Sequence, residues 1–170
     1  MEAIELGAGV AEALENVSPK VKTGVLQAHA ALRRLGIPHA LCGGLAVAAH
    51  GYLRATKNVC FLTGEEVFER TGAILSHRTG VPVFVGDVRV DYVPSVPGVK
   101  LSEILRVDEL VAVPVEVLIQ MKLIAGRPQD RLDVVELVNA GADPVEVEAY
   151  LQRVQPALVR KLRNLLERGR

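Results

Sequence analysis

The clearest indication of the fold is the segment LCGGLAVAAHGYLRATKNVCFL, residues 41–62. A short apolar strand is predicted at its start, and this strand runs straight into the glycine pair Gly43-Gly44. A brief helix of small and apolar residues follows the glycines, and a second apolar strand is predicted over residues 58–62. The stretch therefore predicts a strand, a tight turn, a helix and a second strand in immediate succession.

The sequence on either side predicts helices and one β-hairpin. The hairpin covers residues 81–93, where valines recur at alternate positions and Gly86-Asp87 supplies the turn. Serine, aspartate or proline at the start and glycine at the end mark most of the helices. The predicted helices cover residues 4–14, 18–35, 65–76, 114–125, 127–139, 143–154 and 156 onward.

This order of elements defines the expected fold class. Strands and helices do not alternate regularly, which argues against a doubly wound parallel sheet. We expect an α+β protein in which a small mixed sheet is flanked by helices. The expected division is a sheet-containing part with N-terminal helices over residues 1–113, and a helical C-terminal part packed on it over residues 114–170.

Two-metal nucleotidyl transfer requires carboxylates that hold two cations a few ångströms apart. On a strand, acids at positions i and i+2 point to one face, and a third acid on the neighbouring strand faces them. In the strand predicted at residues 58–62, Asn58 and Cys60 share such a face. In the hairpin, Asp91 shares a face with Arg89, with which it could also form a simple ion pair.

Three blocks of sequence carry a family resemblance. They are the glycine pair with its Arg-Ala-Thr-Lys continuation at residues 54–57, the strand at residues 88–91, and a helical segment at residues 114–133. Together they resemble stand-alone bacterial nucleotidyltransferases of the DNA polymerase beta-like superfamily. The branch that looks most similar includes the nucleotidyltransferase toxins of abortive-infection systems. In the helical segment, the residues that resemble the motif following the palm are Lys122, Arg127, Asp130 and Asp133.

The resemblance implies a palm-like fold and an ancestral reaction that moves a nucleoside monophosphate from an Mg²⁺-NTP to an acceptor. The family's paired acids would fall here at Asn58 and Cys60, and neither is an acid. An amide oxygen brings no charge, and a thiolate is a soft ligand that Mg²⁺ disfavours. Asp91 alone keeps the implied metal-binding role, so weak Mg²⁺ binding and little or no transfer are expected.

Several residues are candidates for contact with a nucleotide. The resemblance implies a phosphate cradle at Gly43 and Gly44, with Arg54 and Lys57 neutralising a triphosphate. The alternative is that the glycines only form a tight turn and that the two cations face solvent. Lys122 is a further candidate, because it lies on the apolar side of its predicted helix, where a charge requires a partner. Salt bridges to nearby acids are the alternative for Lys122.

The leading functional hypothesis is a catalytically degenerate nucleotidyltransferase-like domain that binds a nucleotide weakly, or that acts as a partner-binding or regulatory module. One alternative is an active Mg²⁺-dependent enzyme that transfers NMP from an NTP to a small molecule, RNA or protein, using Asp91 with a substitute acid. A second alternative is a purely structural subunit that forms homo-oligomers through its C-terminal helices.

The composition limits the choice of partners. Twenty basic and twenty acidic residues cancel, so no overall field attracts the chain to nucleic acid or to an anionic membrane. A basic C-terminal helix gives nucleic acid only weak support. No apolar run approaches the roughly 20 residues of a spanning helix, which favours a cytoplasmic protein without membrane contact. Cys42 and Cys60 lie in apolar runs and are expected to be buried free thiols. They could be neighbours on adjacent strands, but a disulfide between them is not expected.

Overall fold

The computed structural model describes residues 3–169 and shows an α+β fold, as the sequence predicts. The strands are β1 (Glu5–Leu6), β2 (Ala40–Cys42), β3 (Val59–Leu62), β4 (Phe68–Thr71), β5 (Ile74–His77), β6 (Phe84–Val85), β7 (Val88–Val93) and β8 (Glu109–Leu110). The α-helices are α1 (Val10–Glu15), α2 (Pro19–Arg34), α3 (Gly43–Ala49), α4 (Val115–Ala125), α5 (Pro128–Asn139), α6 (Pro144–Val154) and α7 (Val159–Arg168). Short 3₁₀ helices occupy Glu65–Val67, Leu101–Glu103 and Pro156–Leu158.

The central sheet has four strands in the order β2, β3, β7 and β6. β2 is antiparallel to β3, β3 is parallel to β7, and β7 is antiparallel to β6. The parallel pair needs a crossover, which residues 63–87 supply. On its free side β2 is joined to the segment after β8, where the Leu41 N–H donates to the Val111 carbonyl at 2.7 Å. The sheet is therefore small and mixed, as predicted.

The two faces of the sheet pack into different hydrophobic clusters. Val59 and Phe61 of β3 are wholly buried in the cluster that α2 covers, and Val88 and Val90 of β7 join them there. Leu62 of β3 points to the opposite face, into the cluster built with α4 to α7. This alternation follows from the two-residue repeat of a strand. Residues of β3 at even positions therefore face the helical C-terminal part.

The predicted helix over residues 65–76 is wrong. Only the turn Glu65–Val67 is helical, and the chain then forms the antiparallel hairpin of β4 and β5. Gly72 begins the turn with φ +63°, and a glycine at that position of a two-residue loop matches the twist of the flanking strands. The acidic pair Glu65-Glu66 at the start of the segment favoured a helix. The chain forms a hairpin there instead, because Gly72 provides its turn.

The predicted helix over residues 4–14 is wrong in its first half. Residues 5 and 6 form β1, which runs parallel to β8, and the Gly7 N–H donates to the Leu110 carbonyl at 2.8 Å. Helix α1 begins only at Val10, after Gly9 has turned the chain with φ +75°. Pairing with a distant strand outweighed the local preference of this short segment for helix.

The other predicted elements are confirmed with small shifts at their ends. Ser18 caps α2 at its N-terminus, where its side chain accepts a hydrogen bond from the Val21 N–H at 3.3 Å. The hairpin of β6 and β7 turns at Gly86, as predicted. Helices α4 to α6 lie where they were expected, and a 3₁₀ turn at Pro156 precedes α7. Leu158 and Leu162 are buried in the chain's own core.

Candidate functional site

Cys42, Cys60 and Asp91 form a row across three adjacent strands. Cys42 of β2 is directly opposite Cys60 of β3, and Cys60 is in register with Asp91 of β7. The Sγ atoms of the two cysteines lie 2.7 Å apart, and both cysteines are free thiols. Residues in register on neighbouring strands point to the same face of a sheet. The face on which the resemblance implies three acids therefore carries two thiols and one carboxylate.

Asp91 is half-exposed and is paired with its neighbour on the strand. The Arg89 Nε lies 3.0 Å from Asp91 Oδ1 and 3.2 Å from Oδ2. Asn58 is exposed, just outside β3, and its backbone carbonyl accepts a hydrogen bond from Thr56. Among residues 3–169, no group of three or more His, Cys, Asp or Glu side chains is placed to hold a metal ion.

The glycine pair connects β2 directly to α3. Gly43 has φ +67°, a conformation that side chains with a Cβ avoid, and a Cβ there would lie 3.2 Å from the Cβ of Cys60. A Cβ on Gly44 would lie 2.7 Å from the Thr56 hydroxyl and 3.2 Å from an Arg54 nitrogen. The space in front of Gly44 is therefore filled by the chain's own side chains, whereas Gly43 borders the thiol pair.

A buried ion network lies beside this turn. The Lys122 ammonium is 3.1 Å from Asp130 and 2.9 Å from Asp133. Asp133 also binds the guanidinium of Arg54 through two contacts of 2.8 Å, and Asp130 binds Arg127 at 2.7 Å. Lys122 and both aspartates are almost fully buried, while the Arg127 side chain is 75% exposed. Three cations thus surround two carboxylates, which leaves one positive charge in excess.

The network keeps both aspartates ionised. Burial acts to raise the pKa of Asp130, but hydrogen bonds from Arg127 and Lys122 hold that pKa below its ordinary value. Burial acts in the same way on Asp133, where hydrogen bonds from Arg54 and Lys122 hold the pKa down. The sequence-predicted candidates Arg54 and Lys122 are therefore brought together, and each is bound to an aspartate. Lys57 stays exposed on the loop before β3.

A pocket of about 370 Å³ opens between the thiol pair and this network. Its polar side is formed by Cys42, Gly43, Cys60, Lys122, Arg127 and Asp130. Its other side is apolar and includes Val96, Leu118 and Met121. Gly44, Asn58 and Asp91 lie outside the lining. A cavity with one apolar wall and a few convergent polar groups is typical of a small-molecule site.

Two features of the site have no local signal in the sequence. Arg54 and Asp133 are 79 positions apart, and no pattern in either segment links them. The apolar wall joins Val96, in a loop, with Met121 of α4, which only the folded chain brings together. By contrast, the sequence offered salt bridges to nearby acids as the alternative to a nucleotide contact for Lys122, and those salt bridges are present.

Comparison with protein-family models, with curated proteins and with solved structures finds no match to this chain. The family resemblance therefore rests on the motifs quoted from the sequence. Among the described residues, no helix has both the length and the apolar character needed to cross a membrane.

Proposed function

We propose that this chain is a nucleotidyltransferase-like domain that binds a nucleotide in the pocket beside Cys60 without carrying out metal-dependent transfer. The function that we propose is weak binding of an anionic nucleotide without a metal ion. The observation that carries the proposal is the pocket of about 370 Å³, which has an apolar wall opposite Lys122 and Arg127. Its volume falls at the lower end of the roughly 300–1,000 Å³ of ligand pockets, which suits a ligand the size of a nucleoside monophosphate.

The charge balance of the site supports an anionic ligand. Three cations face two carboxylates in the network, and the exposed Arg127 lies at the pocket. The thiol of Cys42 is neutral near pH 7, because burial and the contact with Cys60 raise its pKa. A phosphate group can therefore approach Arg127 without meeting an unpaired carboxylate in the pocket.

The same balance explains why binding should be weak and independent of Mg²⁺. Arg127 and Lys122 are already paired with Asp130, so a phosphate gains from one excess charge only. In a two-metal site the acids hold cations that neutralise the triphosphate. Here Asn58 and Cys60 stand where the resemblance places those acids. A dissociation constant on the order of 1 mM, about −4 kcal/mol, is the expected scale.

Calorimetric titration with AMP, ATP and the other nucleotides tests the proposal. We expect measurable heat with EDTA present, and affinity that does not improve when Mg²⁺ is added. Absence of heat and of any thermal shift at millimolar nucleotide would contradict nucleotide binding. Incubation with labelled NTPs and candidate acceptors tests the loss of transfer, and incorporation that disappears in Asp91→Asn would show an active enzyme.

A further inference from the structure

The two cysteines that line the pocket are arranged so that a disulfide bond can form between them. Cys42 and Cys60 occupy directly opposed positions on antiparallel strands, and their Sγ atoms are 2.7 Å apart. Opposed residues in such a pair have Cα atoms roughly 4.5–5.5 Å apart, which is within the range that a disulfide spans. A bridge would therefore need no rearrangement of β2 or β3.

The two thiols differ in access. Cys42 is wholly buried, whereas Cys60 is only partly buried, and both border the pocket. The exposed guanidinium of Arg127 lines the same pocket as Cys60. Burial raises the pKa of Cys42. Cys60 is therefore the thiol that a reagent in the pocket meets first, and Cys42 stands behind it.

We propose that Cys42 and Cys60 are a redox-active dithiol that closes reversibly to an intramolecular disulfide when a sulfur of a small disulfide such as oxidised glutathione reaches Cys60 at the pocket. The thiolate of Cys60 attacks one sulfur of the oxidant, the oxidant's S–S bond breaks, and one glutathione thiolate leaves. The sulfur of Cys42 then loses its proton and attacks the Cys60 sulfur, and the second glutathione thiolate leaves.

The reaction balances without another reagent. The two protein thiols lose two protons and two electrons, and the oxidised glutathione takes up both to become two molecules of the reduced thiol. A monothiol in excess, or a dithiol reductant, reverses both steps. This chemistry belongs to the sulfurs and does not depend on nucleotide binding.

Mass spectrometry of the folded 170-residue chain treated with oxidised glutathione tests the proposal. We expect loss of both titratable thiols, a mass decrease of two hydrogen atoms, and one linked peptide pair that contains Cys42 and Cys60. Dithiothreitol should restore both thiols. The proposal is overturned if both thiols persist, if only glutathione adducts accumulate, or if the disulfide joins two chains.

Two variants test the order of attack. In Cys42→Ser the resolving thiol is missing, so a glutathione adduct on Cys60 should accumulate and remain. In Cys60→Ser the remaining thiol is the buried one, and it should react at least about tenfold more slowly than Cys60 does in the other variant. Equal rates, or faster reaction of Cys42, would contradict the assigned order. Circular dichroism melts confirm that each variant is folded, and the result on the unaltered chain holds independently of them.

Discussion

Arg54 and Asp133 form a bidentate ion pair with both contacts at 2.8 Å, although 79 positions separate them in the chain. Asp133 is fully buried and also contacts Lys122 at 2.9 Å. The pair ties the loop after α3 to α5 through a carboxylate that water does not reach. Removal of the Asp133 carboxylate would leave Arg54 without its ion-pair partner and Lys122 with Asp130 alone.

Asp133→Asn should lower the free energy of unfolding by about 3 kcal/mol, because breaking one partner of a buried ion pair leaves charge uncompensated. Urea denaturation at neutral pH measures the change. Asp108→Asn is the matched control, since Asp108 pairs with Arg33 at 3.0 Å but its side chain is 74% exposed. That substitution should cost less than about 1 kcal/mol. Equal costs for the two variants would contradict the structural importance of the buried network.

Arg127→Gln should weaken nucleotide binding about tenfold, which corresponds to about 1.4 kcal/mol. Arg127 lines the pocket and is largely exposed, so its loss removes charge from the site while Lys122 still neutralises Asp130. Arg131→Gln in the first turn of α5 is the control, because Arg131 is exposed and lies outside the pocket lining. Isothermal titration of both variants with the same nucleotide makes the comparison. If both variants lose affinity equally, the effect reflects net charge and not the pocket.

A buried histidine pair makes stability depend on pH. The Nδ1–H of His39 donates to the Ile37 carbonyl at 2.7 Å, so its Nε2 accepts from the Nδ1–H of His29, also at 2.7 Å. Burial lowers the pKa of His39 to about 4, and it also lowers the pKa of His29. Protonation of His39 would set two N–H groups against each other, so the folded chain resists it.

The free energy of unfolding should therefore fall as pH drops from about 6.5 toward about 4, because the unfolded chain takes up protons in that range and the folded chain does not. His39 alone contributes on the order of 3 kcal/mol across the range. Asp130 and Asp133, whose pKa values are lowered, lose their contributions only at more acidic pH. Urea denaturation at a series of pH values gives the slope of the free energy of unfolding against pH.

His39→Leu should flatten that slope, whatever its effect on stability at neutral pH. His77→Asn is the matched control, because His77 is exposed on β5, and it should leave the slope unchanged. A slope that survives in His39→Leu would assign the pH dependence to other groups.

Gly9→Ala should destabilise the fold by more than about 3 kcal/mol. A Cβ at Gly9 would lie 1.9 Å from the Ala49 carbonyl oxygen, so α1 would have to move away from the end of α3. Gly36→Ala is the control with nearly the same backbone, φ +70° against +75°, and with no atom within 4 Å of the added Cβ. It should cost only the roughly 1–2 kcal/mol of the left-handed conformation. Thermal melts compare the two, and similar losses would show that the contact with Ala49 relaxes easily.

Local patterns in the sequence were sufficient for much of the fold. Ser18-Pro19 and Gly126 marked helix boundaries correctly, and the alternation before and after Gly86 gave the β6–β7 hairpin. The failures have one cause, because at residues 4–14 and 65–76 a glycine turn and strand pairing outweighed local helix signals. In the second of these segments Gly72, with φ +63°, forms the hairpin turn.

The candidate site was predictable in part. The strand pattern predicted that Cys42 and Cys60 could be neighbours on adjacent strands, and they are. For Lys122 the sequence left a nucleotide contact and salt bridges both open, and the salt bridges are present. The closeness of Arg54 to Asp133 depends on how α5 packs against the loop, and packing between distant segments leaves no trace in either one. The same holds for the apolar wall of the pocket.

The parallel pairing of β3 with β7 sets an order for folding events. The β6–β7 hairpin closes through a turn at Gly86 and can form from neighbouring residues alone, whereas β3 reaches β7 only after residues 63–87 have looped back. Closing that loop costs chain entropy before any long-range contact compensates for it. We therefore expect the hairpin to form early and its docking on β3 to limit the refolding rate.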